Sequence, residues 1–123
     1  MEQKYINGDV VMYDNKIMVV KEPRDGSHFD LSCPKEGLVY CFVGVDDMKP
    51  LSLTPEILEK NGWKVSSECR WIYVKEDNVK IFRLLDDIHY AAYIGFVRLL
   101  EFQHIHQLQH LLFGLGINHK MEV

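Results

Sequence analysis

The sequence predicts a small domain of the α+β class, in which a few helices pack against antiparallel sheet. Apolar residues make up 47% of the 123 residues and charged residues 26%, which is ordinary for a globular chain. Short β-branched runs separated by turn residues recur along the chain, whereas helical signals are confined to residues 53–63 and 102–116. We therefore expect one compact domain over residues 1–123, in which 1–50 and 51–123 could form sub-halves.

Residues 1–50 predict a small, bent antiparallel sheet. The runs VVMY (10–13) and KIMVVKE (16–22) flank Asp14-Asn15, which is a hairpin pattern. The residues PRDGS (23–27) are typical of a turn. The segment LVYCFVGV (38–45) predicts a third strand, and its apolar run predicts burial on both faces of that strand. An SH3-like barrel is one form that such a sheet could take.

The segment LTPEILEKNGW (53–63) has the start and stop signals of a short helix. Thr54 can accept from the first-turn N–H groups, and Pro55 suits the first helical position because no N–H is needed there. Gly62 can adopt the left-handed conformation that ends a helix. We expect about two turns, with Ile57 and Leu58 facing inward.

Residues 70–74, 79–85 and 90–100 predict a three-stranded antiparallel meander, in which Gly95 marks a bulge or a close backbone approach. FQHIHQLQHLLFGLG (102–116) predicts a C-terminal helix, and residues 117–123 could add a short strand. The apolar stripe of this helix has 3.6-residue spacing and consists of Ile105, Leu108, Leu111, Leu112 and Leu115.

Three motifs give the chain a resemblance to a group of small uncharacterised proteins from gut Bacteroidales and their phages or mobile elements. The motifs are Gly8-Asp9-Val10-Val11, Pro50-Leu51-Ser52-Leu53-Thr54, and His106-Gln107-Leu108-Gln109 continuing to Phe113. The ending Gly114-Leu115-Gly116-Ile117 departs from the Ala-Leu-Thr-Gly type of run in that group. The resemblance implies a phage or mobile-element origin and implies no activity.

The polar residues of the C-terminal helix are the first candidate site. His106 and His110 are four residues apart and could share a ligand, but Gln107 stands where the H-E-x-x-H metalloprotease pattern needs Glu. Gln107 and Gln109 carry amides that can bond a partner's backbone. These four side chains are candidates for contact with a protein partner. The alternative, which we favour, is a solvated helix face, and we expect no metal site.

The predicted second hairpin carries an alternative site. If its two strands direct their aromatic and basic residues to one solvent side, they form a platform on which single-stranded bases stack. Its candidate members are Trp71, Tyr73, Lys75, Lys80 and Phe82. The competing interpretation, which we favour, is that residues 1–50 cover the face of Trp71 and Tyr73, because aromatic side chains bury so much area.

No convergent catalytic set accompanies these residues. Asp86, Asp87 and His89 are close in sequence, but no nucleophile elbow or glycine-rich phosphate loop occurs, so a turn with surface acids is expected. The net charge is −4 and neither half is basic, which disfavours duplex nucleic acid. Three cysteines form no C-x-x-C pair, and the N-terminus lacks a signal-peptide pattern, so we expect a cytoplasmic protein.

These observations rank three functions. The first is a non-enzymatic protein-interaction or structural accessory protein without a cofactor. The second is a single-stranded nucleic-acid-binding module, and the third is a metal-dependent enzyme built on His106 and His110. We expect no membrane partner, because the longest nearly uncharged stretch is too short to cross a bilayer.

Overall fold

A computed structural model describes residues 5–25, 27–75 and 78–123. Within these residues the strands form two five-stranded antiparallel sheets, with one short helix between them in sequence and one helix after the second. The first sheet contains β1 (Val10–Tyr13), β2 (Lys16–Asp25), β3 (His28–Cys33), β4 (Leu38–Gly44) and β5 (Lys49–Pro50). The second contains β6 (Lys64–Val65), β7 (Ile72–Val74), β8 (Val79–Arg83), β9 (Tyr90–Ile94) and β10 (Val97–Phe102). The helices are α1 (Pro55–Lys60) and α2 (Ile105–Gly114), so the α+β prediction is confirmed.

The first sheet has the strand order β4-β3-β2-β1-β5. Its pairing shifts register twice between β2 and β3, and these irregularities bend the ten-residue β2. The predicted bent sheet is therefore present, with β3 as an additional strand. Among the described strands β4 and β5 are opposite edges, so the sheet is open and does not close into a barrel.

The expectation that residues 38–45 are buried on both faces is wrong. The strand β4 is an edge strand, and Leu38, Val39 and Phe42 are exposed while Val43 is buried. Phe42 has a φ of +57°, a left-handed conformation that bulky side chains rarely adopt. Asp30 holds it there, because its Oδ1 accepts from the Phe42 N–H at 2.9 Å.

The second sheet has the order β10-β9-β8-β7-β6. Residues 90–100 were predicted as one strand but form parts of two, because Gly95 and Phe96 make a hairpin turn in which Gly95 has a φ of +58°. The predicted role of Gly95 as a bulge or close approach is therefore wrong. The pairing of Val97 with Ile94 across this turn starts the β9–β10 ladder.

Local signals place α1 as predicted. Thr54 Oγ1 accepts from the Ile57 N–H at 3.3 Å, and Pro55 is the first helical residue. Gly62 follows the helix with a φ of +89°. Leu58 is fully buried and Ile57 packs partly buried against the same core.

The helix α2 begins at Ile105 and not at residue 102, because β10 continues to Phe102 and His104 is the extended N-cap residue. The side chains of Ile105, Leu108 and Leu112 are buried, which confirms most of the predicted stripe, whereas Leu115 lies beyond the helix and is exposed. Residues 117–123 form no strand.

Backbone hydrogen bonds join the segment that follows β5 to the segment that follows β10. The Leu53 N–H donates to the Gln103 carbonyl at 2.9 Å, and the Ile105 N–H donates to the Leu51 carbonyl at 2.8 Å. Val10 of β1 packs into the hydrophobic cluster of the second half, with Leu108 and its neighbours. Residues from the first sheet therefore complete the core around α2.

Candidate functional site

Gln109 joins three segments that are distant in sequence. Its Oε1 accepts from the Val10 N–H at 2.8 Å, and its Nε2 donates to the carbonyls of Gly8 at 2.7 Å and His119 at 2.9 Å. The side chain is 0% exposed, so these bonds replace water on backbone groups that would otherwise be unsatisfied. The sequence made Gln109 a candidate for partner contact or for a solvated helix face, but its amide is buried and contacts the chain's own backbone.

Asp9 and His110 form a second polar contact, which joins the residue before β1 to α2. Asp9 is fully buried, and its Oδ2 lies 2.6 Å from His110 Nε2 and accepts from the Ile6 N–H at 2.8 Å. A protonated imidazole would neutralise this buried carboxylate. Burial, and then the nearby Asp9 carboxylate, raise the pKa of the Tyr5 hydroxyl.

The histidines of α2 form a row of ring contacts. His106 is buried, with its ring centroid 5.0 Å from that of Tyr5 and 5.5 Å from that of His110. His104 stacks on His106 at 5.9 Å. Across the described ranges, no group of three or more His, Cys, Asp or Glu side chains could hold a metal ion.

Gln107 serves the start of α2. Its Oε1 accepts from the backbone N–H groups of Gln103 at 3.0 Å and His104 at 2.9 Å, which is half of a capping box. Gln107 and His110 are half-buried, whereas Gln109 and His106 are buried. The four candidates for partner contact therefore do not form one exposed surface.

The aromatic–basic platform does not have its predicted members. Tyr73 is only 3% exposed and packs in the core with Ile81, its cross-strand partner. Lys80 and Phe82 lie on the opposite face, because they alternate with Ile81 along β8. We expected residues 1–50 to cover Trp71 and Tyr73, and this is wrong. Tyr73 is buried, but its core neighbours come mostly from residues 51–123, and Trp71 is exposed.

The opposite face of the second sheet, which we call the outer face, carries a different aromatic–basic set. Directly opposed residues share a face, and pairing across five strands aligns one row. That row consists of Lys64, Val74, Lys80, Tyr93 and Arg98. The neighbouring row consists of Ile72, Phe82, Ala91 and Glu101.

The Phe82 and Tyr93 rings meet at the middle of the outer face, with centroids 4.6 Å apart. Both side chains are partly exposed, and the cations Lys64, Lys80 and Arg98 are exposed around them. Arg98 pairs with Glu101. Within the described residues, Lys64 and Lys80 form no ion pair, which leaves the row locally positive.

Trp71 precedes β7 and lies between two guanidinium groups. Arg70 is 5.0 Å and Arg83 4.9 Å from its ring, which is the distance of a cation–π contact. The indole is 38% exposed. Lys75 was the remaining predicted platform member, and it lies over the buried Trp63 ring at 5.8 Å and not beside Trp71.

The turn between β8 and β9 is structural, as the sequence predicts. Asp86 Oδ1 accepts from the N–H groups of Ile88 and His89, both at 2.9 Å. These backbone bonds, together with the His89 side chain, lower the pKa of Asp86 to about 2. The arrangement orders a turn and positions no nucleophile.

No protein-family model matches the chain, and neither a curated protein nor a solved structure is significantly similar to it. In the described part of the chain, no helix is long and apolar enough to span a membrane.

Proposed function

We propose that the protein is a non-enzymatic interaction protein of phage or mobile-element origin, and that the outer face binds a protein partner. The supporting observation is the partly exposed Phe82–Tyr93 ring pair, in which Tyr93 lies in one row with Lys64 and Lys80. Interface centres are enriched in aromatic residues and carry a polar rim. The partner surface that fits is apolar at its centre and acidic around it.

The tip of the β9–β10 hairpin adds exposed apolar residues beside the sheet. Phe96 is fully exposed in the turn. Val97 is mostly exposed and pairs with Ile94 in the row of Val79, so it lies on the face opposite the outer face. An isolated exposed apolar residue needs no explanation, but a group of them next to a sheet face is typical of a binding surface. The origin rests on the resemblance of the three sequence motifs, and the genes neighbouring this one test it.

A displayed peptide library tests the protein-binding function without knowledge of the natural partner. We expect enrichment of acidic peptides with apolar residues. The variant Lys64→Glu/Lys80→Glu should weaken their binding about tenfold, at roughly 0.7 kcal/mol for each exposed pair. The charge-matched control Lys35→Glu/Lys49→Glu, on the first half of the chain, should change it less than twofold. Enrichment of no such peptide, or equal loss in both variants, contradicts the proposal.

A second candidate uses the same face for single-stranded nucleic acid. Phe82 and Tyr93 give two ring surfaces next to Lys64 and Lys80, which pair with no carboxylate among the described residues. Base stacking contributes about 1–3 kcal/mol per base. The probe is a fluorescent oligothymidine, measured by anisotropy at physiological salt. Binding that is lost in Phe82→Ala and Tyr93→Ala, with no peptide enrichment, replaces the first candidate with this one.

A further inference from the structure

A concave groove of about 640 Å³ lies between β2, α1 and the segment that follows α2. Its lysines come from four separate parts of the chain, as far as the structure describes it. Lys21 is in β2, Lys60 ends α1, Lys75 follows β7, and Lys120 is in the segment after α2. Glu122 is the acidic residue among the described lining residues.

Four other cations of the protein, Lys16, Arg24, Arg83 and Arg98, each pair with a carboxylate. Among the described residues no Asp or Glu side chain pairs with any lysine of the groove. Glu76 and Asp77, which follow Lys75 in sequence, lie outside those residues. The fold therefore places four positive side chains around one groove, although the net charge of the whole chain is −4. A concave surface focuses the electrostatic field of such charges.

Two of the lysines have defined contacts. Lys60 Nζ donates to a main-chain oxygen of Val123 at 3.0 Å, and Lys75 Nζ lies 5.8 Å from the centroid of the Trp63 ring. A lysine ammonium has three N–H donors, so neither contact uses up its capacity to bind an anion.

The wall formed by the C-terminal segment is fixed by hydrogen bonds. Asn61 Nδ2 donates to the Glu122 carbonyl at 2.8 Å, and the Glu122 N–H donates to Asn61 Oδ1 at 2.7 Å. At the other end His119 Nε2 lies 2.9 Å from the Asn7 carbonyl. The groove is thus formed before any ligand arrives, which lowers the cost of binding.

We propose that this groove binds a small oligophosphate, such as a chain of linked phosphates or a nucleoside polyphosphate. Its volume falls within the roughly 300–1,000 Å³ of small-molecule sites and exceeds what a single phosphate fills. Lysine binds phosphate as a point charge, so lysines spread along a groove suit several phosphates in a row. The groove shares no residue with the outer face, so this inference does not depend on the proposed partner.

Inorganic tripolyphosphate is the probe, and Trp63 is the reporter because Lys75 lies over its ring. The background variant is Trp71→Phe, which leaves Trp63 as the fluorescent indole. We expect a saturable change in emission, confirmed by calorimetry. Lys21→Gln/Lys120→Gln should weaken binding about tenfold, at about threefold for each lost exposed pair. The matched variant Lys49→Gln/Arg70→Gln, whose residues line neither the groove nor the outer face, should stay within about twofold, since each exposed charge acts weakly at a distance.

Circular dichroism shows whether each variant is folded, so a loss of binding can be assigned to charge. The proposal is overturned if tripolyphosphate does not saturate the protein at concentrations of about 10 mM, or if both double variants lose affinity equally. It is also overturned if Lys21→Gln/Lys120→Gln weakens oligothymidine binding while wild-type protein ignores tripolyphosphate, because the groove would then follow a nucleic-acid backbone. These results leave the peptide test of the outer face unaffected.

Discussion

The replacement Gln109→Leu tests whether this residue is structural. Leucine has nearly the same volume but removes the bonds to Val10 N–H, the Gly8 carbonyl and the His119 carbonyl. The bond to the Val10 N–H is fully buried, and a buried backbone group left without a partner costs about 1–3 kcal/mol. Gly8 and His119 are half-buried, so water can reach their carbonyls in part and each loss costs about 1 kcal/mol. A buried leucine returns about 1.5–3 kcal/mol of transfer free energy. The expected net loss in the free energy of unfolding is about 1–3 kcal/mol, which is a large part of the stability of an ordinary domain.

Urea titration followed by circular dichroism measures this loss, provided that unfolding is two-state. Gln107→Leu is the matched control, since it is the same change two residues earlier in α2. There the amide caps the helix start in a half-buried place, so we expect a loss of about 0.5–1.5 kcal/mol. The reasoning is refuted if Gln109→Leu costs no more than Gln107→Leu, or less than about 0.5 kcal/mol.

Three further predictions follow from the packing and the hydrogen bonds. Leu108→Ala should destabilise the protein by about 2–4 kcal/mol, because the residue is fully buried, and a loss below about 0.5 kcal/mol in urea would contradict its place in the core. The pKa of Asp86 in the folded protein is lowered to about 2, whereas the unfolded carboxyl titrates near pH 4. The ionised carboxylate therefore stabilises the folded state above about pH 4, and this stabilisation is lost as the pH falls towards 2. The difference in melting temperature between wild type and Asp86→Asn should therefore shrink from pH 5 to pH 3, and a constant difference would refute this. Elemental analysis of tag-free protein should find no stoichiometric zinc, because His106 contacts Tyr5 and His110 contacts Asp9; one equivalent that disappears in His106→Ala/His110→Ala would contradict this.

Features that depend on neighbouring residues were predictable from the sequence. The start and end signals of α1 act over only a few residues. The N-cap Thr54, the first-turn Pro55 and the left-handed Gly62 are all as predicted. The strand β3 was missed because His28–Cys33 is short and contains Asp30 and Ser32, which weaken a strand pattern. Asp30 is buried only because Arg24 and the Phe42 N–H satisfy it, and those partners are not visible from the local sequence.

The outer face was misassigned because the register of a hairpin decides which residues share a side. Pairing Tyr73 with Ile81 sends Lys80 and Phe82 to the other face, and the sequence of the 75–78 connection does not fix that pairing. For Gln109 the sequence did contain a signal. It lies four residues after Ile105 and three before Leu112, so it belongs to the buried stripe, where a polar side chain must find partners.

The bonds of Gln109 have a consequence for how the chain is made. Val10 and Gly8 leave the ribosome before Gln109, whose side-chain amide binds them and follows 99 and 101 residues later. Until then β1 lacks both that amide and the Leu108 core, and Asp9 lacks its imidazole partner. Contacts this distant in sequence slow folding, because a long loop must close before they form. During synthesis the exposed β4 edge, with Leu38 and Val39, is then open to wrong pairing with other chains.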